Sequence, residues 1–420
     1  MKMLIIGEGG RESAICRALM TANPAPELII APGNAGTAHF GKNHNIAVKD
    51  IDGLVALAQK EHVDFVIVGG ETSLVLGITD RLKAVGIACA GPSQQAAQLE
   101  GSKIYTRNLA RDVNVPSPSF VVTRREAELA WAMDAWEGVP VVKADGLASG
   151  KGVFLPDTKA EALSIGNELL HGKLGDAGRE IVLEERLTGI EASFFYACDG
   201  VHALPLPNAK DHKRIGDKDT GPNTGGMGAI SPNPVVTIEI EERVRDEIVI
   251  PILAELEKRG TPFVGFLYTG VMITETGPKL IEFNVRLGDP EAQAILPRLP
   301  AGSFLSLCKG IAFGELGGLS FEIEPWCTCA LVLSAKGYPD KPQIGDPITI
   351  ESQCENTFRW IDFAGVTQRD ETIVTNGGRV LAIVGRGTTP TAARSAAYAG
   401  VQYIAFEGMH YRRDIGREQS

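Results

Sequence analysis

Short apolar runs alternate with segments of helical spacing through the first hundred residues. Met3-Leu4-Ile5-Ile6, Leu28-Ile29-Ile30 and Phe65-Val66-Ile67-Val68 predict buried parallel strands, with helices over 11–20 and 51–60 between them. This alternation predicts a doubly wound parallel α/β domain that places ligands at the carboxyl ends of its strands. Glycine-bearing loops fall at those ends: Gly7-Glu8-Gly9-Gly10, Pro32-Gly33-Asn34-Ala35-Gly36 and Gly69-Gly70-Glu71. Breaks at Gly91-Pro92-Ser93 and Val115-Pro116-Ser117-Pro118 flank a helix over 103–111. From Phe120 to about Leu187 the pattern predicts a compact α/β insertion with strands over 139–143, 153–155 and 181–184. A larger α/β unit follows over 192–300. It has a long polar glycine-rich loop over 210–231, a helix over 238–258, and strands over 266–274 and 279–286 joined as a hairpin. From Cys327 onward short strands and turns predict a smaller C-terminal α+β domain. The expected domains are 1–102, 103–325 with a lid subdomain at about 120–190, and 326–420.

Composition narrows the function classes. Lys+Arg 41 against Asp+Glu 52 leaves a net charge of −11, a field that repels nucleic acid and anionic membrane. Small anionic substrates stay admissible where local cations oppose that field. No apolar run approaches the ~18 residues of a membrane span, and no secretory pattern opens the chain. The seven cysteines are scattered, and Cys327 and Cys329 are too close for a zinc knuckle, so buried thiols in a reducing cytoplasm are expected.

Several segments carry candidate chemistry. The first loop lacks the sixth-position glycine of the dinucleotide fingerprint, where Glu12 stands; Gly9, Gly10 and Arg11 suit a phosphate at a helix start or a structural turn. Lys143-Ala144-Asp145-Gly146 through Ser149-Gly150-Lys151-Gly152 misses the P-loop spacing and runs into a strand. It fits a flap over a triphosphate, with Lys143 reaching in, or an ordinary glycine-rich hairpin. On 280–286 alternation puts Glu282, Asn284 and Arg286 on one face and Ile281, Phe283 and Val285 on the other. Two hard oxygen donors beside a guanidinium suit a Mg²⁺-bridged polyphosphate. The same face continues into Gly288-Asp289-Pro290-Glu291. Asp211-His212-Lys213-Arg214 through Met227-Gly228 reads as a ligand-organising loop. Glu184-Glu185-Arg186-Leu187 with Glu191 reads as a nucleoside hinge.

Taken together, these segments resemble the glycinamide ribonucleotide synthetase (phosphoribosylamine–glycine ligase) family of the ATP-grasp superfamily. The resemblance spans essentially the whole chain. Its most specific parts are 211–228, Leu99-Glu100-Gly101-Ser102-Lys103, Lys143 to Leu147, and Asn284 to Glu291 with Gln293; the segments 375–380 and 413–416 also match. The resemblance implies an ATP-grasp fold and ligation of glycine to 5-phosphoribosylamine, giving glycinamide ribonucleotide, ADP and phosphate through glycyl phosphate. It implies ATP contacts at Lys103, Lys143, Gly146, Ser149, Gly150, Gly152, Glu184, Glu185, Leu187 and Glu191, and Mg²⁺ or Mn²⁺ on Glu282 and Asn284. Phosphoribosylamine would use Gly9, Gly10, Arg11, Glu12, Asn34 and Glu71. Glycine and the reacting groups would lie near Asp211, Lys213, Arg286 and Asp289. The chain departs from the family pattern at Glu8, Ser13 and Gly70 to Ser73, all in the amine-substrate loops, and at Val285, Leu287 and Ala292. A ligase for another carboxylate or amine, and a nucleotide-binding regulator without turnover, are the competing readings. The expected assembly is a monomer or small homo-oligomer.

Overall fold

The computed structural model describes residues 1–148 and 151–417. Its N-terminal unit runs β1 (Lys2–Gly7), α1 (Gly10–Leu19), β2 (Glu27–Pro32), β3 (Gly41–Asn43), α2 (Ile51–Lys60), β4 (Phe65–Val68), α3 (Glu71–Val75), α4 (Ile78–Ala84) and β5 (Ala88–Ala90). The strands are parallel in the order β3-β2-β1-β4-β5. Period two divides their side chains: Leu4, Ile6, Val66 and Val68 enter one core, Met3, Ile5, Phe65 and Ile67 the other. Both faces are covered, which is why these strands are apolar throughout.

Next come α5 (Gln98–Gly101) and α6 (Lys103–Asp112), then a lid of β6 (Phe120–Thr123), α7 (Glu126–Ala135), β7 (Val141–Ala144), β8 (Val153–Phe154), α8 (Lys159–Leu170) and β9 (Ile181–Glu184). The lid sheet is antiparallel, ordered β6-β9-β7-β8, with Leu129, Met133, Val142 and Leu183 in its own core. Hydroxyl caps start several helices: Ser102 accepts from the Tyr105 N–H, Thr158 from Glu161 and Thr389 from Ala392.

The remaining elements are β10 (Ile190–Asp199), β11 (Ala203–Asp211), β12 (Arg214–Gly216), β13 (Thr220–Asn223), β14 (Gly228–Ser231), α9 (Ile238–Val244), α10 (Ile250–Lys258), β15 (Val264–Thr274), β16 (Gly277–Asn284), α11 (Glu291–Ile295) and α12 (Ser303–Phe313). The C-terminal part adds β17 (Cys327–Ser334), β18 (Thr349–Ile350), β19 (Arg359–Phe363), β20 (Val366–Arg369), β21 (Thr372–Thr375), β22 (Arg379–Gly387), α13 (Pro390–Tyr398) and β23 (Ile404–Ala405). One eight-stranded sheet, β16-β15-β10-β11-β14-β17-β22-β19, crosses both parts. No helix among the described residues is long and apolar enough to cross a membrane.

Three sequence expectations change. The stretch 210–231 is no open loop: β11 pairs with β14, and between them β12 and β13 form a small hairpin. The helix over 238–258 contains a π-helical segment, Arg245–Val249, between α9 and α10. In β16 the register against β15 slips, Gly270 facing Glu282 while Val271 faces Leu280. That bulge at Ile281 breaks the alternation, so Leu280 joins Phe283 and Val285 in the core while Ile281 turns to the polar side.

Candidate active site

Two lysines arrive from different elements. Lys103 opens α6, whose start is fastened by Asp145: its carboxylate accepts from the Ser102 hydroxyl at 3.0 Å and the Ile104 N–H at 2.7 Å. Lys143 is buried on β7, its Nζ 2.6 Å from Glu184 Oε2. Glu184 is itself gripped by Arg107, Nε to Oε1 at 2.7 Å and Nη2 to Oε2 at 2.9 Å. Burial would raise the Glu184 carboxyl, but Lys143 and Arg107 outweigh it and hold the group at about 2. Burial and the neighbouring Lys143 lower Lys103, although Glu282 opposes them.

Across from the lysines, Glu282 and Asn284 project from the end of β16. Together with Glu191, Ser193, Asp211, Lys213, Tyr268 and Ile281, Glu282 lines a narrow recess. Lys213 Nζ lies 3.0 Å from Glu191 Oε2 and 3.9 Å from Glu282 Oε1. Glu191 raises the Lys213 ammonium well above its ordinary value. Lys213, Lys143 and Lys103 in turn keep Glu282 ionised against burial. No three His, Cys, Asp or Glu among the described residues are grouped so as to hold a metal ion. Glu282 and Asn284 fit a divalent cation that takes its other ligands from phosphate and water, the usual donor count for Mg²⁺ on a nucleotide.

The N-terminal loops close differently from the sequence expectation. Glu12 is buried and folds back, accepting from the Gly9 N–H at 2.5 Å and from Arg11 Nε at 2.6 Å. A Cβ on Gly7 or Gly69 would strike the Glu12 side chain, so those glycines make room for an internal carboxylate. Gly9 N and Glu12 are thus already partnered rather than open to phosphate. Asn34 is likewise used up: its Oδ1 accepts from Gly36 and Thr37, and its Nδ2 donates to Glu8 O and Phe363 O. Arg11 keeps one contact outward, to Leu287 O at 3.2 Å. Glu71 meets Arg286 at 3.1 Å, and Glu100 meets the same guanidinium at 2.8 Å. Burial opposes ionisation of both carboxyls. Arg286 and Arg11 nevertheless hold Glu71 at about 2, whereas burial leaves Glu100 at about 7.

Asp289 sits where all parts of the chain meet. Its Oδ1 accepts from Gln293 at 2.7 Å, its Oδ2 lies 3.0 Å from Arg379 Nη2, and a Cβ on Gly9 would press against it. Burial acts to raise this carboxyl, but Arg379 and Arg11 keep it below its ordinary value. Arg379 also donates to Gly225 O at 2.5 Å, fastening the segment before β14. Beside it, Asp211 is driven well above the usual carboxylate range by burial and by Glu291. Gly226, at φ 113°, lets the chain pass between Asp211 and Pro290, where a side chain would collide with both.

The structure therefore lines one recess with Glu191, Asp211, Lys213 and Glu282; Lys103 and Lys143 lie within electrostatic reach of Glu282, Lys143 is paired with Glu184, and Asn284 follows Glu282 by two residues on β16. Arg11, Glu71, Arg286, Asp289 and Asp211 border it on the side of the N-terminal loops. Gly146 and Gly152 belong to the turn joining β7 and β8, while Ser149 and Gly150 lie outside the described residues. Glu185 and Leu187 follow β9 at half-buried positions. Glu185 is engaged with Ser119 N at 3.1 Å and Lys279 at 3.4 Å. Glu184 does not offer a free carboxylate to a ribose; Glu191 remains the exposed one. Sequence reasoning overlooked Arg107 and Tyr268 as members of this neighbourhood, and it named Glu100, Glu291 and Arg379 only as parts of motifs, with no role. Their one legible signal is position: Arg107 lies one helical turn after Lys103, and Glu291 follows the Asp289 turn.

Comparison with known proteins agrees with this arrangement. Family models match the chain in three consecutive parts: phosphoribosylglycinamide synthetase N domain over 1–100, its ATP-grasp (A) domain over 101–292, and its C domain over 328–418. The phosphoribosylamine–glycine ligase of Xanthomonas campestris pv. campestris is 43% identical over 422 residues, covering 99% of this chain and 97% of that protein. The phosphoribosylamine–glycine ligase of Vibrio parahaemolyticus is 44% identical, covering 99% of this chain and 98% of that protein. The crystal structure of phosphoribosylamine–glycine ligase from Thermotoga maritima superposes with a TM-score of 0.85 at 35% identity, over 99% of this chain and 100% of that one. The biotin carboxylase domain of Hydrogenobacter thermophilus 2-oxoglutarate carboxylase, solved with MgADP, gives a TM-score of 0.74 at 14% identity, over 98% of this chain and 91% of that one. That is a likeness of fold alone.

Proposed function

The chain belongs to the phosphoribosylglycinamide synthetase family, and from that premise we infer the ligation it performs: glycine is joined to 5-phosphoribosylamine with cleavage of ATP, giving glycinamide ribonucleotide, ADP and phosphate, a step of purine biosynthesis. The observation that carries the reading is the cluster of Lys103, Lys143 and Lys213 about the buried Glu282 on β16, beside Asp289 and the Arg11–Glu71–Arg286 cluster.

A glycine carboxylate is a poor acyl donor, so its oxygen attacks the γ-phosphorus and ADP leaves. The amine of phosphoribosylamine then attacks the carbonyl carbon of glycyl phosphate, and phosphate departs from the tetrahedral intermediate. No protein nucleophile is required; positioning and charge neutralisation supply the catalysis. Lys143 and Lys103 hold the polyphosphate. Glu282 and Asn284 would hold Mg²⁺ or Mn²⁺, which when bound neutralises phosphate charge. Lys213 and Arg286 flank the migrating phosphoryl group, and Asp289, an ionised carboxylate, takes the proton that the attacking amine releases. Asp211, its carboxyl raised by burial and by Glu291, borders the glycine. Gly146 and Gly152, in the turn joining β7 and β8, border the triphosphate and shield the acyl phosphate from water. Glu185, Leu187 and Glu191 border the nucleoside, and Arg11 and Glu71 face the amine substrate.

The test is ADP release by the full chain with ATP and a divalent cation, with and without glycine and freshly generated phosphoribosylamine. Release that needs both substrates is the expected result. Nucleotide binding without such release would overturn the ligase reading.

A further inference from the structure

We propose that Arg107 is a positioning residue of the reaction: it holds Glu184, and through Glu184 the Lys143 ammonium, in register with the strand that carries Glu282 and Asn284. The inference rests on the ATP-binding part of the reading above.

Arg107 is 2% exposed, among the most deeply buried side chains in the molecule. Its fork spans Glu184 as described, and its remaining donors reach the carbonyl oxygens of Leu280, at 3.3 Å, and Ile281, at 2.5 Å. Those two carbonyls belong to the β16 bulge immediately before Glu282. One guanidinium therefore ties a helix, the lid strand β9 and the metal-bearing strand to each other. Glu184 in turn accepts from Lys143 on the adjacent lid strand, so a flexible four-carbon side chain is held at a fixed point relative to Glu282.

Stability alone explains this cluster poorly. A buried ion pair repays little of its desolvation cost, and apolar residues of similar volume would serve the fold as well or better. The Lys143 ammonium held in this way lies within electrostatic reach of Glu282, on the strand whose Leu280 and Ile281 carbonyls Arg107 also grips. An arrangement of that sort is what polyphosphate capture requires, and the fork geometry of arginine fits the carboxylate and the two carbonyls where lysine cannot.

Two variants test the idea: Arg107→Lys, which keeps the charge and loses the fork, and Glu184→Gln, close to isosteric, which keeps one acceptor for Arg107 and releases Lys143. ATP affinity is read by calorimetric titration of each folded full-length variant, beside melting temperature and steady-state constants. Glu184→Gln is expected to melt below the wild type, because two buried cations lose their countercharge, while its ATP dissociation constant and KM for ATP rise by about tenfold or more. Its glycine KM is expected to stay unchanged and its kcat at saturating ATP to fall much less. Arg107→Lys is expected to show the same split. ATP affinity within about twofold of the wild type in either folded variant would overturn the proposal, as would failure of the wild type to bind ATP. A wild type that binds ATP yet lacks glycine-dependent ADP release sinks the ligase reading and leaves this titration decisive.

Discussion

Glu71 and Glu184 share an electrostatic situation: burial opposes their ionisation, and two cations each more than reverse it. For Glu71 those cations are Arg286 and Arg11, and the folded carboxyl stands at about 2 against an ordinary 4.5. The stability it contributes is complete above 4.5 and is lost as the pH falls from 4.5 toward 2, because the unfolded chain binds the proton first. Glu100 has the opposite sign. Raised to about 7, it retains its proton in the folded state, so its contribution declines as the pH climbs from 4.5 to 7. Glu71→Gln is expected to flatten the dependence of melting temperature on pH below 4.5 relative to the wild type. An unchanged slope would remove Glu71 from the acid response. At this scale the polar face of 280–286 was legible: Glu282 lines the recess, with Lys143 in electrostatic reach of it. Glu12 and Asn34 were not. Their side chains reach polar partners in their own loop and in β19, and nothing local in the sequence distinguishes a carboxylate that caps its own helix from one that awaits a ligand.

The β12–β13 hairpin depends on a distant part of the chain. Arg412, 1% exposed at its side chain, binds Asp219 at 2.7 Å, Asp414 at 2.8 Å and Arg214 O at 3.1 Å. Asp414 also accepts from Lys218 N at 2.7 Å, and His410 contacts Ile215 O at 2.9 Å. Arg412→Ala is expected to cost about 1–3 kcal/mol, seen as a lower urea midpoint, and to open the hairpin to limited proteolysis between 214 and 223. A hairpin as resistant as the wild type's would show that the flanking strands suffice. This dependence explains why 210–231 looked like a loop. Glycine, lysine and aspartate have low strand propensity, and the pairing that imposes extended backbone comes from β11, β14 and the C-terminal segment. The bulge at Ile281 was illegible for a related reason. Periodicity reports which face a residue prefers, whereas the slip is set by the register with β15 and by the two carbonyls that Arg107 claims.

The ends of the molecule are fastened to one another. Arg17 on α1 donates to Asp362 at 3.0 Å and to Ile361 O at 2.6 Å, while Ser13 and Asn34 both donate to Phe363 O. Ser13, one of the departures from the family pattern, is thus part of this seam, and Glu8, another, points to solvent. Arg17→Ala strands the buried Asp362 carboxylate and is expected to cost about 1–3 kcal/mol by denaturant titration with ATP affinity unaltered. A matching loss of ATP affinity would show that the seam also shapes the nucleotide recess. Strand–helix alternation was readable within each stretch of chain, although the two main cores mix side chains from the first 115 residues with side chains beyond 190. The seam was not, because it pairs residues some 345 positions apart.

The continuity of the eight-stranded sheet constrains how such a chain is divided. A cut near 326, where the sequence invites one, would part β14 from β17 and leave each piece with an unpaired row of backbone donors and acceptors along an apolar strand. Halves made separately would adhere to copies of themselves before finding each other. Any working split of this polypeptide, whether by a protein engineer or by gene fission, belongs instead at a solvent-facing turn that severs no ladder.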